Sequence, residues 1–285
     1  MSLYQWMDAR LGPADTFSVP LNVNALHYGT GVFEGIRSYA TQDGAAVFRL
    51  REHLLRMKQG CEVIGIDFDM DEIGEAILAV LRANQHRDAY IRPLSFYGSG
   101  LGLDVEALQQ HHWVASVPWN SHLGSAKVKL AHSPFRRNRH TSIPPLKLCG
   151  AYVNSLMAKH EATKRGFGEA LFTDESGLVV ECTGENVFMV KNGQITAVEH
   201  PDALGGITRR TVIELTGADS RAVSLEELRE ADEIFLTGTS AEIAQVGQLD
   251  QHELGPNPVT LTLRARYLGI VRGESAEHET WLTRF

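Results

Sequence analysis

The sequence predicts a mixed α/β protein of two domains, with antiparallel or mixed sheets and not a doubly wound parallel sheet. Three observations carry that expectation. Stretches with a helical period alternate with short strand-like runs along the chain. The strand runs fall in neighbouring pairs, and one pair, "ENVFMVKNGQITAV", is joined by Asn192-Gly193, a two-residue hairpin signal. Between two further strand runs lies "NSHLGSA", 120–126, small and polar as a linker should be. The expected division is a small N-terminal α/β domain over 1–119, an interdomain linker over 120–126 and a large domain over 127–285.

The elements follow in order. "AAVFRL" reads as a strand and "REHLLRMKQGCEVIGI" as a helix, with Leu54, Leu55, Lys58, Cys61 and Glu62 on adjoining faces. In "MDEIGEAILAVLRANQH", Ile73, Ile77, Val80 and Leu81 form an apolar helical stripe. "AYIRPLSFYG" and "HWVASVPW" are strand-like and flank the glycine-rich loop 98–111. After the linker, "KVKLAHSPF" is a strand, and 136–147 is a loop kept from helix by Pro144-Pro145. "AYVNSLMAKHEATKRG" is a helix closed by Gly166. The strands "EALFTD", "LVVECT" and the Asn192-Gly193 hairpin come next. "GITRRTVIELTG" is a helix, "ADEIFLTGTSAEI" a strand ending in a Thr/Gly/Ser turn, and "PVTLTLRARYLGIVRGE" a terminal helix.

Composition excludes several classes. The 285 residues carry a formal net charge of -8 and no Lys/Arg run, a poor basis for binding nucleic acid. No apolar run approaches the ~18 residues of a membrane helix. The opening "MSLYQWMDARLGPADTF" lacks the basic and apolar regions of a signal peptide. Cys61, Cys149 and Cys182 are odd in number and form no C-x-x-C, which points to a reduced, cytoplasmic protein. The twelve histidines show no ligand spacing, so no metal is expected.

Chemistry concentrates in a few places. "LHYGTGVFEGIRSY", 26–39, sets Tyr28, Glu34, Arg37 and Tyr39 into a run that could otherwise be a core strand. Polar tips are costly in a core without partners. "GSGLG", 98–102, lacks the spacing of a dinucleotide fingerprint. "LGGITRRT", 204–211, leads two glycines into a helix whose N-terminus suits a phosphate. "FLTGTSAE", 235–242, ends a strand in a turn that offers N–H groups and hydroxyls to an anion. Lys147 follows a rigid Pro-Pro amid apolar residues, where an amine becomes a usable nucleophile. Glu181 ends an apolar run, with Glu185 four positions on. Each feature alone also fits an ordinary helix start, strand-end turn, snorkelling lysine or paired carboxylate. Together, lysine, buried carboxylate and two phosphate cradles are what pyridoxal phosphate requires.

On these residues the chain resembles the fold-type IV pyridoxal-phosphate enzymes, and within them the branched-chain amino acid aminotransferases. Seven blocks match in family order: "LHYGTGVFEGIRSY", "FRLREHLLRM", "AYIRPLSFYG", "GAYVNSLMAKHEATKRGF", "ECTGENVFMVKNG", "LGGITRRTV" and "ADEIFLTGTSAEI". The resemblance implies a small α/β domain and a larger cofactor-binding domain with a barrel-like mixed sheet. It makes Lys147 the Schiff-base lysine and Glu181 the partner of the ring nitrogen. Tyr152 is similar to the tyrosine on the ring's phenolic oxygen. Arg56, Ile207, Thr208 and Thr239 resemble the phosphate site. Tyr28, Phe33, Tyr90, Arg92, Trp119, Thr239 and Ser240 resemble substrate-binding positions. Leu101 and Leu103 resemble residues that line a neighbouring subunit's pocket. Glu34 and Arg37 are expected to form a supporting ion pair, and His122 stands where the family often carries an aromatic. The implied activity is ping-pong transamination of leucine, isoleucine and valine with 2-oxoglutarate, by a homodimer or higher homo-oligomer serving amino-acid biosynthesis. Other type IV enzymes remain open: a D-amino acid aminotransferase, an amine transaminase or an aminodeoxychorismate lyase. So does a non-enzymatic binding protein on the same fold.

Overall fold

The computed structural model describes residues 3–119, 127–137 and 142–285, so the expected linker 120–126, with His122, lies outside the described residues. The chain divides into two compact units, one of Met1–Asn120, Leu146–Ala151 and Gly269–Phe285, the other of Ser121–Pro145 and Tyr152–Leu268. The sequence predicts a second domain that runs unbroken from 127 to 285. Here two short segments go with the first unit instead, and one of them carries Lys147.

The first unit begins with a hairpin that hydrophobic pattern does not reveal, β1 (Tyr4–Met7) and β2 (Arg10–Pro13). It continues through α1 (Asn24–Tyr28), β3 (Gly31–Phe33), β4 (Ile36–Thr41) and β5 (Gly44–Phe48). Helices α2 (Leu50–Ile64) and α3 (Met70–Asn84) follow, then β6 (Ala89–Tyr97) and β7 (Gln110–Pro118). Every pairing of these strands is antiparallel. The helix α3 starts where Asp69 accepts hydrogen bonds from the N–H groups of Asp71 and Glu72, at 2.9 and 3.1 Å. Its stripe of Ile73, Ile77, Val80 and Leu81 is buried against Ile91 of β6 and Val114 of β7. Amphipathic period thus becomes a helix laid on a sheet.

The stretch 26–39 is not one strand. Tyr28 ends α1, Gly29 turns the chain with φ 68°, and β3 and β4 both pair with β6. Gly31–Phe33 lies opposite Leu94–Phe96, and Ile36–Ser38 lies opposite Ala89–Ile91. The break between them falls at Glu34-Gly35. A Cβ on Gly29 would sit 2.6 Å from the Cα of Gly150, so this turn needs glycine for close approach as well as for φ.

The second unit holds β8 (Val128–His132), α4 (Tyr152–Lys164), β9 (Glu169–Thr173), β10 (Val179–Cys182), β11 (Asn186–Lys191) and β12 (Gln194–Val198). It goes on with α5 (Ile207–Thr216), β13 (Asp219–Arg221), α6 (Leu225–Arg229), β14 (Glu233–Gly238), β15 (Glu242–Leu249), β16 (His252–Glu253) and most of α7 (Pro258–Val271). Asn192 and Gly193 take φ 51° and 75°, and Lys191 pairs with Gln194 across them, the two-residue hairpin their sequence signals. Among the described residues the sheet runs β10-β9-β8-β15-β14-β11-β12-β13 with β16 beside β15. The pairs β8–β9, β8–β15 and β12–β13 are parallel and the others antiparallel. Finally β17 (Leu282–Arg284) joins β5 in the sheet of the first unit. The chain therefore has the two-sheet mixed α/β fold expected from its sequence. Among the described residues, no helix is long and apolar enough to cross a membrane.

Candidate active site

In the first unit, the segment carrying Lys147 runs along β3. The N–H of Phe33 donates to the Lys147 carbonyl at 3.2 Å, Val32 bridges to Leu148, and the N–H of Gly150 donates to the Gly29 carbonyl at 3.2 Å. The awkward stretch 26–39 is lined up against the lysine. The half-buried Lys147 places its Nζ 5.0 Å from the centre of the Phe33 ring.

Three more expected residues gather there. Tyr90 and Arg92 lie two apart on β6, so their side chains share a face. An Nη of Arg92 donates to Tyr90 Oη at 2.7 Å, and the guanidinium lies 4.6 Å from the Phe33 ring centre. The Trp119 ring centre is 5.1 Å from that of Tyr90. Tyr28 Oη accepts from the N–H of Gly102 at 3.2 Å, which ties Tyr28 to the loop carrying Leu101 and Leu103, 71% and 79% exposed.

Glu34 fills the β3–β4 break. It is fully buried, and it accepts from Arg56 Nε at 2.6 Å, Arg56 Nη2 at 2.8 Å, His53 Nδ1 at 2.9 Å and its neighbour Gly35 N–H at 3.1 Å. The expected Glu34–Arg37 pair does not form. Arg37 sits on β4, and its guanidinium lies over the Tyr39 ring at 4.7 Å. Burial raises the Glu34 carboxyl, but Arg56 and His53 together overcome it and hold it well below the usual range. Burial lowers His53, helped by Arg56 and Lys147 and opposed by Glu34.

In the second unit, Glu181 is buried at the end of β10. Its Oε2 accepts from the N–H of Leu204 at 2.9 Å and from Asn186 Nδ2 at 3.4 Å, while Asn186 Nδ2 also donates to the Leu204 carbonyl at 2.9 Å. These bonds tie Glu181 to the loop that opens α5. There Ile207 and Thr208 are buried in the first turn, behind Gly206. A Cβ on Gly206 would fall 1.9 Å from Asn186 Oδ1, so any larger residue here would displace the Asn186 amide.

Sequence reasoning missed Arg137. It is buried, with Nη1 3.4 Å from Glu181 Oε1 and Nη2 donating to Ser155 Oγ at 2.7 Å. Its guanidinium lies 4.0 Å from the Phe172 ring centre. Ser155 is one turn into α4 from Tyr152. Thr239 and Ser240 are half-buried in the β14–β15 turn, next to Thr237, whose buried Oγ1 has no hydrogen-bond partner among the described residues. Glu185 lies near the same turn: a Cβ on Gly238 would come within 3.2 Å of its Cγ. Its Oε2 is also buried without a hydrogen-bond partner among the described residues. Burial, with the nearby Glu169 charge, pushes Glu185 up to about 8.

Comparison with known proteins gives the family of the chain. The profile of the amino-transferase class IV family matches residues 31–249. A Pseudomonas aeruginosa branched-chain-amino-acid aminotransferase is 36% identical, over 99% of this chain and 94% of its own length. Among solved structures, the branched-chain aminotransferase of Thermoproteus uzoniensis with norvaline matches at TM-score 0.95 and 36% identity, covering 100% of this chain and 99% of that one. The branched-chain amino acid aminotransferase of Thermobaculum terrenum, in its PLP form, matches at TM-score 0.92 and 33% identity, covering 99% and 98%. The chain belongs to the class IV aminotransferases.

Proposed function

We infer that this chain is a pyridoxal-phosphate-dependent aminotransferase acting on branched-chain L-amino acids. The observation that carries the reading is Lys147, held along β3 beside Phe33, Tyr90, Arg92 and Trp119, in a chain with full-length branched-chain aminotransferase relatives. The donor set fits the cofactor: a half-buried primary amine, a buried carboxylate at Glu181, and the glycine-led N-terminus of the ten-residue helix α5.

When bound, pyridoxal phosphate supplies a carbonyl that condenses with amines and a ring that takes up the electron pair left at Cα. Lys147 is the residue that would hold it, and the free Nζ is the group that would move the substrate's Cα proton. Glu181 holds a proton on the ring nitrogen by its charge. Tyr152 hydrogen-bonds the phenolic oxygen, while Arg56, Ile207, Thr208 and Thr239 hold the phosphate. Tyr28 and Phe33 face the side chain of the amino acid. Tyr90 and the N–H groups of Thr239 and Ser240 bind the α-carboxylate. The second substrate is 2-oxoglutarate, which binds after the branched 2-oxo acid has left and departs as L-glutamate. Arg92 recognises its distal carboxylate, since a planar guanidinium can meet a carboxylate bidentately.

A homodimer or larger homo-oligomer belongs to this reading. Leu101 and Leu103 are exposed beside Tyr28, and apolar side chains presented together suit a neighbour's pocket better than solvent. A cytoplasmic location is supported by three cysteines that form no disulfide. Lys147→Ala tests the whole. Turnover of L-leucine with 2-oxoglutarate should vanish while circular dichroism is unchanged. Normal turnover by this variant, or a preference of the wild type for D-alanine, would overturn the reading.

A further inference from the structure

Glu34, His53 and Arg56 form a buried cluster whose charge does not suit the ligand assigned to it. The side chains of Glu34 and His53 are 0% and 2% exposed, and that of Arg56 is 10% exposed. Glu34 binds Arg56 bidentately, which fixes the plane of the guanidinium and also cancels its charge. His53, lowered by burial, is neutral near pH 7. The cluster is therefore electrically neutral when it meets an incoming phosphate dianion. Anion binding in a buried setting favours whatever local group can gain positive charge.

His53 is that group. Glu34 is a carboxylate and can only accept, so His53 Nδ1, 2.9 Å away, carries the hydrogen between them. The lone pair is then on Nε2, and a proton taken from solvent goes there. Among the described residues, the charged groups acting on His53 are Glu34 from the β3–β4 break, Arg56 one turn along α2, and Lys147 from the 146–151 segment. Glu34 favours the imidazolium and the other two oppose it. A dianion bound by Arg56 offsets the Arg56 charge, and that makes His53 more basic.

We propose that Glu34 and His53 are positioning residues that turn Arg56 into a proton-coupled phosphate site, with His53 Nε2 taking up a proton as the phosphate group of the cofactor binds. This rests on the assignment of Arg56 to the phosphate. The sign follows from linkage: a group made more basic by the ligand binds protons on association, so affinity falls as pH rises, by at most about tenfold per pH unit for one proton.

The test is calorimetry on the cofactor-free full-length chain with pyridoxamine 5'-phosphate, in buffers of different ionisation enthalpy. It is run at about pH 7.5, where the ligand's phosphate, with second pKa of about 6, is already nearly all dianion. The wild type should take up more protons than His53→Asn, by as much as one; asparagine places its Nδ2 where His53 has Nδ1, keeps the hydrogen bond to Glu34 and cannot titrate. Equal proton counts would overturn the proposal. Pyridoxamine without phosphate is a second arm that needs no variant: wild-type uptake should be smaller with it, and equal uptake would again overturn the coupling. Arg56→Met separates the underlying reading. If that variant keeps the wild-type ratio of affinities for the two ligands, Arg56 does not bind phosphate, whatever His53 does.

Discussion

Glu34 and Glu185 are both glutamates placed away from water, and their carboxyls move in opposite directions. Glu34, in the first unit, is met by four donors, two of them on one guanidinium, and is held ionised far into acid. Glu185, in the second, has an Oε2 with no hydrogen-bond partner among the described residues and the charge of Glu169 nearby, and is pushed up to about 8. The same residue type, fully buried in one place and half-buried in the other, thus becomes an anion where donors meet it and a neutral acid where they do not. Burial sets the size of the penalty, and the partners decide whether the charge survives it.

The largest expected effect comes from taking away the partnered charge. Glu34→Ala leaves Arg56 and His53 facing a hole, and breaking a buried ion pair on one side costs about 3–5 kcal/mol. Denaturant unfolding at neutral pH measures it. A loss below about 1 kcal/mol would mean that water enters and satisfies Arg56. The wild-type contribution of Glu34 should be present above the ordinary carboxylate pKa and disappear as acid protonates the folded state.

On the proposed reading a third carboxylate arrives with the substrate, and Arg92, which faces Phe33 and Tyr90, would be its partner. Arg92→Met should slow the glutamate and 2-oxoglutarate half-reaction by on the order of 100-fold, the scale of a lost charged hydrogen-bond pair. The leucine half-reaction should fall much less. Single-turnover absorbance separates the two, and an equal fall would move the distal carboxylate to another group.

How much of this was legible follows the same division. The α3 stripe was readable because Ile73, Ile77, Val80 and Leu81 lie within one helical period, and the Asn192-Gly193 hairpin because its signal is two adjacent residues. Lys147, Glu181 and the glycines before α5 were readable as motifs. Glu34 was noticed but given the wrong partner. Arg37 is three residues away in sequence, whereas Arg56 is 22 away and arrives only because α2 packs beside the β3–β4 break. Arg137 was missed for the same reason, since its partners Ser155 and Glu181 come from α4 and β10. The β1–β2 hairpin carries no alternation strong enough to announce it, with only Trp6 and Gly12 buried along its strands.

Glu185 gives the next prediction in size. Its folded pKa is raised, so between about 5 and 8 the unfolded chain ionises while the folded chain stays protonated, and stability falls as pH rises through that window. Glu185→Gln keeps the shape and removes the titration. The variant should gain on the wild type by on the order of 2 kcal/mol at alkaline pH, once solvent screening at a half-buried site is allowed for. The two should converge in acid. Unfolding midpoints measured across the window check this, and parallel curves would show that Glu185 is ionised in the folded chain.

Asp69 supplies the case that Glu34 and Glu185 lack, a carboxylate with good partners and no burial. It is exposed, and one of its oxygens accepts from the N–H groups of Asp71 and Glu72 at the start of α3. With water on its other side it incurs little desolvation, so its contribution is that of the cap alone. Asp69→Ala strands those two N–H groups at the head of the helix and should cost about 1 kcal/mol. Asp69→Asn, an equally good cap, should cost a few tenths of that, mainly the lost attraction between a negative charge and the helix N-terminus. Added salt should narrow the gap between wild type and asparagine, because an exposed charge is screened, and leave the alanine deficit nearly unchanged. If asparagine were as damaging as alanine, charge and not hydrogen bonding would be what holds the first turn of α3. The contrast between partner and burial would then have to be redrawn for the surface.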